Sequence, residues 1–199
     1  MSLARRWRPW AHRWQRGRHG WRQLLNDRLT PSFGAFCLRG VELSEEHGTY
    51  ILIVSVAQLK RLKVGRLGTF DISPGFYAYV GSAHGLGGIR ARIGHHLESA
   101  SAPHWHIDYL LGVATPVEVW FAISDRKLEQ DWAELLAKAP FFRSPIPRFG
   151  SSDYRRSRTS HLFYAKRQPS FPWFEDQIRI GFEAEVRPRR AVLTAQQAG

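Results

Sequence analysis

The span from Phe76 to His96 concentrates chemically active groups. Phe76, Tyr77, Tyr79 and Val80 are strand formers. Gly81-Ser82 breaks that run, and a loop with Gly85, Gly87 and Gly88 follows. The chain then reads as a helix carrying Arg90, Arg92, His95 and His96. A tyrosine at a strand end, a glycine-rich turn and arginines on the next helix are the parts of a phosphate-handling site. Downstream, His104, His106 and Asp108 alternate by two. On a strand they would share a face and suggest a metal site, but Ile107–Leu111 reads as a short helix, which scatters them. The single cysteine, Cys37, excludes an internal disulfide and any multi-cysteine zinc site.

These groups need a scaffold. Gly48–Val56 is an almost wholly apolar strand, the signature of a central position. Lys60 to Phe70 reads as a second strand and turn, and Asp71–Gly75 as a turn. Phe76–Val80 is the next strand and Ile89–Leu97 the first helix. Val117–Ile123 is a strand, followed by a helix from Asp125 to Ala139 capped by Ser124 or Asp125. Pro140, Pro145, Pro147 and Gly150 mark irregular chain, and His161–Tyr164 a last short strand. Pro169, Pro172 and Pro188 give a loose tail with one strand at Gln177–Phe182. The expected organisation is a basic Trp/Arg-rich extension over residues 1–33, a domain over 34–166 and a largely irregular tail over 167–199.

Charge follows this division. The net charge is +12. Residues 1–30 hold eight arginines and one aspartate, residues 31–142 ten basic and eleven acidic residues, and residues 143–199 eleven basic and five acidic. The folded centre is neutral and both flanks are basic, which points to an anionic polymer or surface as partner. In the first flank Leu3, Trp7, Trp10, Trp14, Trp21 and Leu24 form a helical stripe. It reads as a nucleic-acid arm, as an interfacial helix on an anionic membrane, or as an organelle-targeting segment, and the alternative is a segment that packs on the domain or stays disordered. No run of 18 apolar residues and no secretory signal are visible, so the expected location is cytoplasmic and nucleoid-associated.

With Gly48-Thr-Tyr50 on one strand, Tyr79-Val-Gly81 on a later one and Arg92 on the following helix, the chain resembles the GIY-YIG nuclease superfamily. Five further blocks bring it closest to the Uri-type endonuclease group, formerly a domain of unknown function, DUF123. They are Gly65–Phe70, Pro74–Ala83, His104–Leu111, Phe149–Asp153 and Ser160–Tyr164. The resemblance implies an α+β fold with a small, mostly antiparallel sheet of about three core strands flanked by helices. It implies Mg²⁺- or Mn²⁺-dependent hydrolysis of DNA phosphodiesters in repair, recombination or processing. Carried across position by position, Tyr50, Tyr79, Arg92 and His96 are the catalytic candidates and Glu129 the metal ligand. Ser82, His104, His106, Ser152 and Asp153 are supporting residues. Arg90, Arg155, Arg156 and Arg158 read as contacts to the nucleic-acid backbone. The family's late asparagine has no counterpart, since the only asparagine is Asn26, outside the matching blocks. The alternative is an inactive nucleic-acid-binding module on the same fold.

Overall fold

The computed structural model describes residues 32–33, 36–98, 103–151 and 159–195, all within the unit Pro31–Gly199. The tryptophan stripe, Asn26, Ser152, Asp153, Arg155, Arg156 and Arg158 lie outside the described residues. The strands are β1 (Ser32–Phe33), β2 (Phe36–Gly40), β3 (Gly48–Val56), β4 (Lys60–Val64), β5 (Gly68–Ile72), β6 (Gly75–Ala83), β7 (Thr115–Ile123), β8 (Leu162–Ala165) and β9 (Arg189–Ala195). The helices are α1 (Gly88–Glu98), α2 (His106–Leu111), α3 (Glu129–Lys138) and α4 (Phe171–Gly181).

The fold is α+β. Among the described residues seven strands form one antiparallel sheet in the order β1-β2-β9-β7-β3-β6-β8, and β4 with β5 forms a separate hairpin. The main sheet is therefore larger than three core strands. The apolar run of β3 explains its place between β7 and β6, because both of its faces are covered. Tyr50, Leu52 and Val54 face the cluster formed with α1, α2 and the hairpin, whereas Ile51 and Ile53 face the cluster formed with α3 and α4. Each such fully buried aliphatic side chain contributes about 1.5–3 kcal/mol relative to exposure.

Several sequence expectations change. Ser32–Phe33, expected at the end of the basic extension, pairs with β2. Asp71 and Ile72, expected in a turn, finish β5. β6 does not break at Gly81-Ser82 but runs on to Ala83. α3 begins at Glu129 rather than near Asp125, because the Ser124 hydroxyl accepts the Arg126 amide in a local turn instead of capping a helix. Among the described residues the tail forms a helix and a strand where irregular chain was expected, and Gln177–Phe182 is no strand. Ser170 caps α4 by accepting the Trp173 amide, Pro172 sits in the first turn where a missing N–H costs nothing, and Phe174 and Ile178 bury one face. β9 then inserts between β2 and β7. Its Arg190 pairs with Glu118, a carboxylate only 2% exposed that also accepts from Trp120 Nε1 at 2.7 Å and Gln168 Nε2 at 2.8 Å. One arginine of the basic tail thus neutralises a buried acid. Among the described residues no helix is long and apolar enough to cross a membrane.

Candidate active site

Tyr50 leaves β3 on the face covered by α1, and its hydroxyl lies 2.8 Å from His96 Nε2. The glycine at position 81 makes this possible. Tyr50 and Gly81 are direct partners across β3 and β6, and a Cβ at Gly81 would overlap the Tyr50 hydroxyl. On the other side of the imidazole, His96 Nδ1 lies 2.7 Å from Asp108 Oδ1. Asp108 Oδ2 accepts the backbone N–H groups of His104, at 3.0 Å, and Trp105, at 2.8 Å. The three side chains are almost completely buried.

The electrostatics fix the proton positions. Burial alone would raise the Asp108 carboxyl, but the hydrogen bond and charge of His96 and the two amides outweigh it and hold its pKa below the ordinary value of 3.8. Burial pushes the His96 imidazole below its ordinary 6.5, aided by the charges of Arg92 and His95 and opposed by Asp108. At neutral pH the pair is therefore a carboxylate and a neutral imidazole. Nδ1 carries the proton and donates it to Asp108, which leaves Nε2 as an acceptor for the Tyr50 hydroxyl. The Tyr50 phenol is pushed well above its ordinary 10, first by burial and then by Tyr79, while Arg92 opposes the shift and Glu129 adds to it. Tyr50 holds its proton at rest and has a base waiting for it.

The other candidates gather around this chain. The Tyr79 ring stands 6.3 Å from that of Tyr50 and edge-on to His96 at 6.2 Å. Arg92, half-buried on α1, lies with its guanidinium carbon 4.9 Å from the centre of the Trp105 ring, and its charge acts on both Tyr50 and His96. Glu129, at the first turn of α3, acts on Tyr50 and is 8% exposed. The structure therefore brings Tyr50, Tyr79, Arg92, His96 and Glu129 together from two strands and two helices. Of the supporting residues, His106 Nδ1 accepts the Gly150 amide at 2.9 Å, and His104 serves through its backbone N–H. Ser82 lies on β6 opposite Thr49.

Two placements revise the initial reading. Arg90 sits between carboxylates, 3.6 Å from Glu45 and 3.8 Å from Glu42. The glycine-rich turn forms no phosphate cradle. The α1 amides of Ile89 and Arg90 are taken by the carbonyls of Glu46 and Ser44. Gly88, at φ 54, lets that segment approach so closely that a Cβ would collide with the Glu46 carbonyl. Two residues absent from the catalytic and supporting sets bond directly to these candidates. Asp108 orients His96, and His161, fully buried, places Nδ1 2.9 Å from Glu129 Oε1. His161 is fixed by its own backbone, which bonds to Phe149 and to Val80. The signal for both lay in the quoted blocks His104–Leu111 and Ser160–Tyr164.

Among the described residues no group of three or more His, Cys, Asp or Glu is placed to hold a metal ion. A single carboxylate oriented by a histidine still fits an ion of the Mg²⁺ type, which takes one or two carboxylates and completes its shell with water and phosphate.

An antiparallel α+β domain that converges two tyrosines, an arginine, a histidine–aspartate pair and a glutamate on one cluster is the class defined by these observations. The chain belongs to the family described as a domain of unknown function, DUF123, which matches residues 49–179. No curated protein and no solved structure matches it.

Proposed function

We propose that this protein is a metal-dependent DNA endonuclease of the GIY-YIG type, nearest the Uri-type group, acting in repair, recombination or processing. The observation that carries the reading is the chain Tyr50–His96–Asp108, beside the Arg92 charge and the Glu129 carboxylate. Hydrolysis of a phosphodiester needs a proton acceptor for water, neutralisation of the dianionic transition state and help for the leaving oxygen. Tyr50 takes the proton from water as its own passes to His96 Nε2, and Asp108 stabilises the imidazolium that forms. This coupled transfer never requires a free phenolate, which burial opposes. Arg92, braced by Trp105, binds the non-bridging oxygens. Glu129, oriented by His161, would hold the divalent ion, which when bound assists the leaving oxygen and offsets phosphate charge. A cytoplasmic, nucleoid-associated location follows from this activity and belongs to the same proposal.

The near-complete burial of Tyr50 favours a second reading, an inactive nucleic-acid-binding module on the same fold. Labelled single-stranded, duplex and branched DNA incubated with Mg²⁺ or Mn²⁺ separates the two. A nuclease cuts at least one substrate and loses cutting in Glu129→Gln. A wild type that binds DNA but cuts none of them is a binding module.

A further inference from the structure

The hairpin of β4 and β5 is not part of the main sheet and has no assigned role in the site. Its two faces differ sharply. Val64 and Ile72 are buried, and Leu62, Leu67 and Phe70 pack against the core cluster that also holds Tyr50 and Tyr79. The opposite face presents Arg61, Lys63, Thr69 and Asp71, all exposed, with Arg61 across from Asp71 and Lys63 across from Thr69. Lys60 at the start of the ribbon and Arg66 in its turn are exposed as well. Four cations against one anion therefore line thirteen residues of ribbon, Lys60 to Ile72. None of the four forms an ion pair with a described residue, whereas Arg90, Arg126, Arg179 and Arg190 all do.

We propose that this hairpin docks the protein on the sugar-phosphate backbone of a nucleic-acid duplex. The inference rests on the nuclease reading and names the form of substrate that the same site takes. Charge is the first reason, since exposed cations in fourfold excess over acid, none ion-paired with a described residue, bind by releasing counterions from phosphate. Shape is the second, because a two-stranded ribbon fits a duplex groove. The third reason separates duplex from single strand. Single-strand surfaces offer aromatic rings on which bases stack, but the one aromatic side chain of this hairpin, Phe70, faces the core. Continuity with the site is the fourth. The turn at Gly65 rests against Tyr109 of α2, and the preceding residue, Asp108, orients His96. The ribbon is thereby packed on the helix whose Asp108 orients His96.

The test measures binding, not cleavage. A labelled duplex and a single strand of equal length are titrated by fluorescence anisotropy, without divalent cations, across a salt series. Wild type is compared with a variant carrying Lys60→Gln, Arg61→Gln, Lys63→Gln and Arg66→Gln. All four side chains are exposed, so the thermal midpoint should stay unchanged. At about 0.9 per phosphate neutralised, the log-log salt slope for duplex falls in magnitude by up to about 3.6 in the variant. A slope and affinity on duplex identical to wild type would overturn the proposal, as would a loss confined to the single strand. A wild type that binds duplex through the hairpin but cuts nothing upholds this inference and ends the nuclease reading. A wild type that cuts DNA while the variant binds unchanged ends this inference alone.

Discussion

Replacing Asp108 by asparagine should reverse the direction of the hydrogen bond to Tyr50 without unfolding the protein. The carboxylate accepts three hydrogen bonds, from His96 Nδ1 on Oδ1 and from the His104 and Trp105 amides on Oδ2. Asparagine has one acceptor oxygen. The two backbone donors hold that oxygen at the Oδ2 position, so the new NH₂ group faces His96 Nδ1 across 2.7 Å. Two donors cannot face each other there, and the imidazole shifts its proton to Nε2. Nε2–H then points at the Tyr50 oxygen, and Tyr50 loses its proton acceptor. The Tyr50 O–H loses its acceptor, so the stability loss is that of one stranded buried donor, about 1–3 kcal/mol, added to the exchange of a charged hydrogen bond for neutral ones. The loss of a general base costs about 10²–10⁴ in rate. Asp108→Ala, by contrast, strands two amides and an imidazole N–H, at about 1–3 kcal/mol each. Nitrogen-15 NMR of the His96 ring reads the tautomer, and single-turnover cleavage with Mg²⁺ reads the rate. An Asp108→Asn protein that keeps Nδ1–H, or that cuts DNA at the wild-type rate, would rule out a relay through His96 and Asp108.

Two other outcomes follow from the same geometry. Gly81→Ala places a methyl where the Tyr50 hydroxyl now lies, so it should lower the unfolding free energy by about 1–3 kcal/mol, measured by urea titration, and disrupt the Tyr50–His96 contact. Stability should also depend on pH on both sides of neutrality. The folded pKa of His96 is depressed, so its contribution is complete above 6.5 and is lost as pH falls, at up to about 1.4 kcal/mol per pH unit, with Asp108 adding its own loss below 3.8. The folded pKa of Tyr50 is raised, so its contribution is lost as pH rises above 10. Urea titrations across pH should show a shallower acid slope for His96→Gln than for wild type; equal slopes would count against the assignment.

How far the sequence reached depended on the range of each interaction. The central place of Gly48–Val56 was legible because an apolar run needs cover on both faces. The helix carrying Arg92 and His96 was legible from its local pattern. Motif resemblance picked out the five residues that the fold does bring together. Asp108 was obscured because a short helix scatters it from His104 and His106, while its partner lies on a different helix. His161 was hidden in the same way, since Glu129 arrives from across the sheet. Pro172 disguised α4, because proline breaks a helix interior but suits a first turn. β9 depends on pairing with β2 and β7, which no local pattern announces. The glycines near α1 were legible as glycines but not in purpose: Gly88 admits a neighbouring backbone rather than a phosphate.

The nuclease activity is tested by single-turnover cleavage of labelled DNA with Mg²⁺ by wild type, Tyr50→Phe and Arg92→Ala, each first shown to be folded by circular dichroism. Wild type should cut, and both variants should lose at least about 100-fold, one lacking the proton relay and the other the charge on the phosphate. Cutting by either variant at the wild-type rate, or no cutting by a wild type that binds the same DNA, would contradict this mechanism.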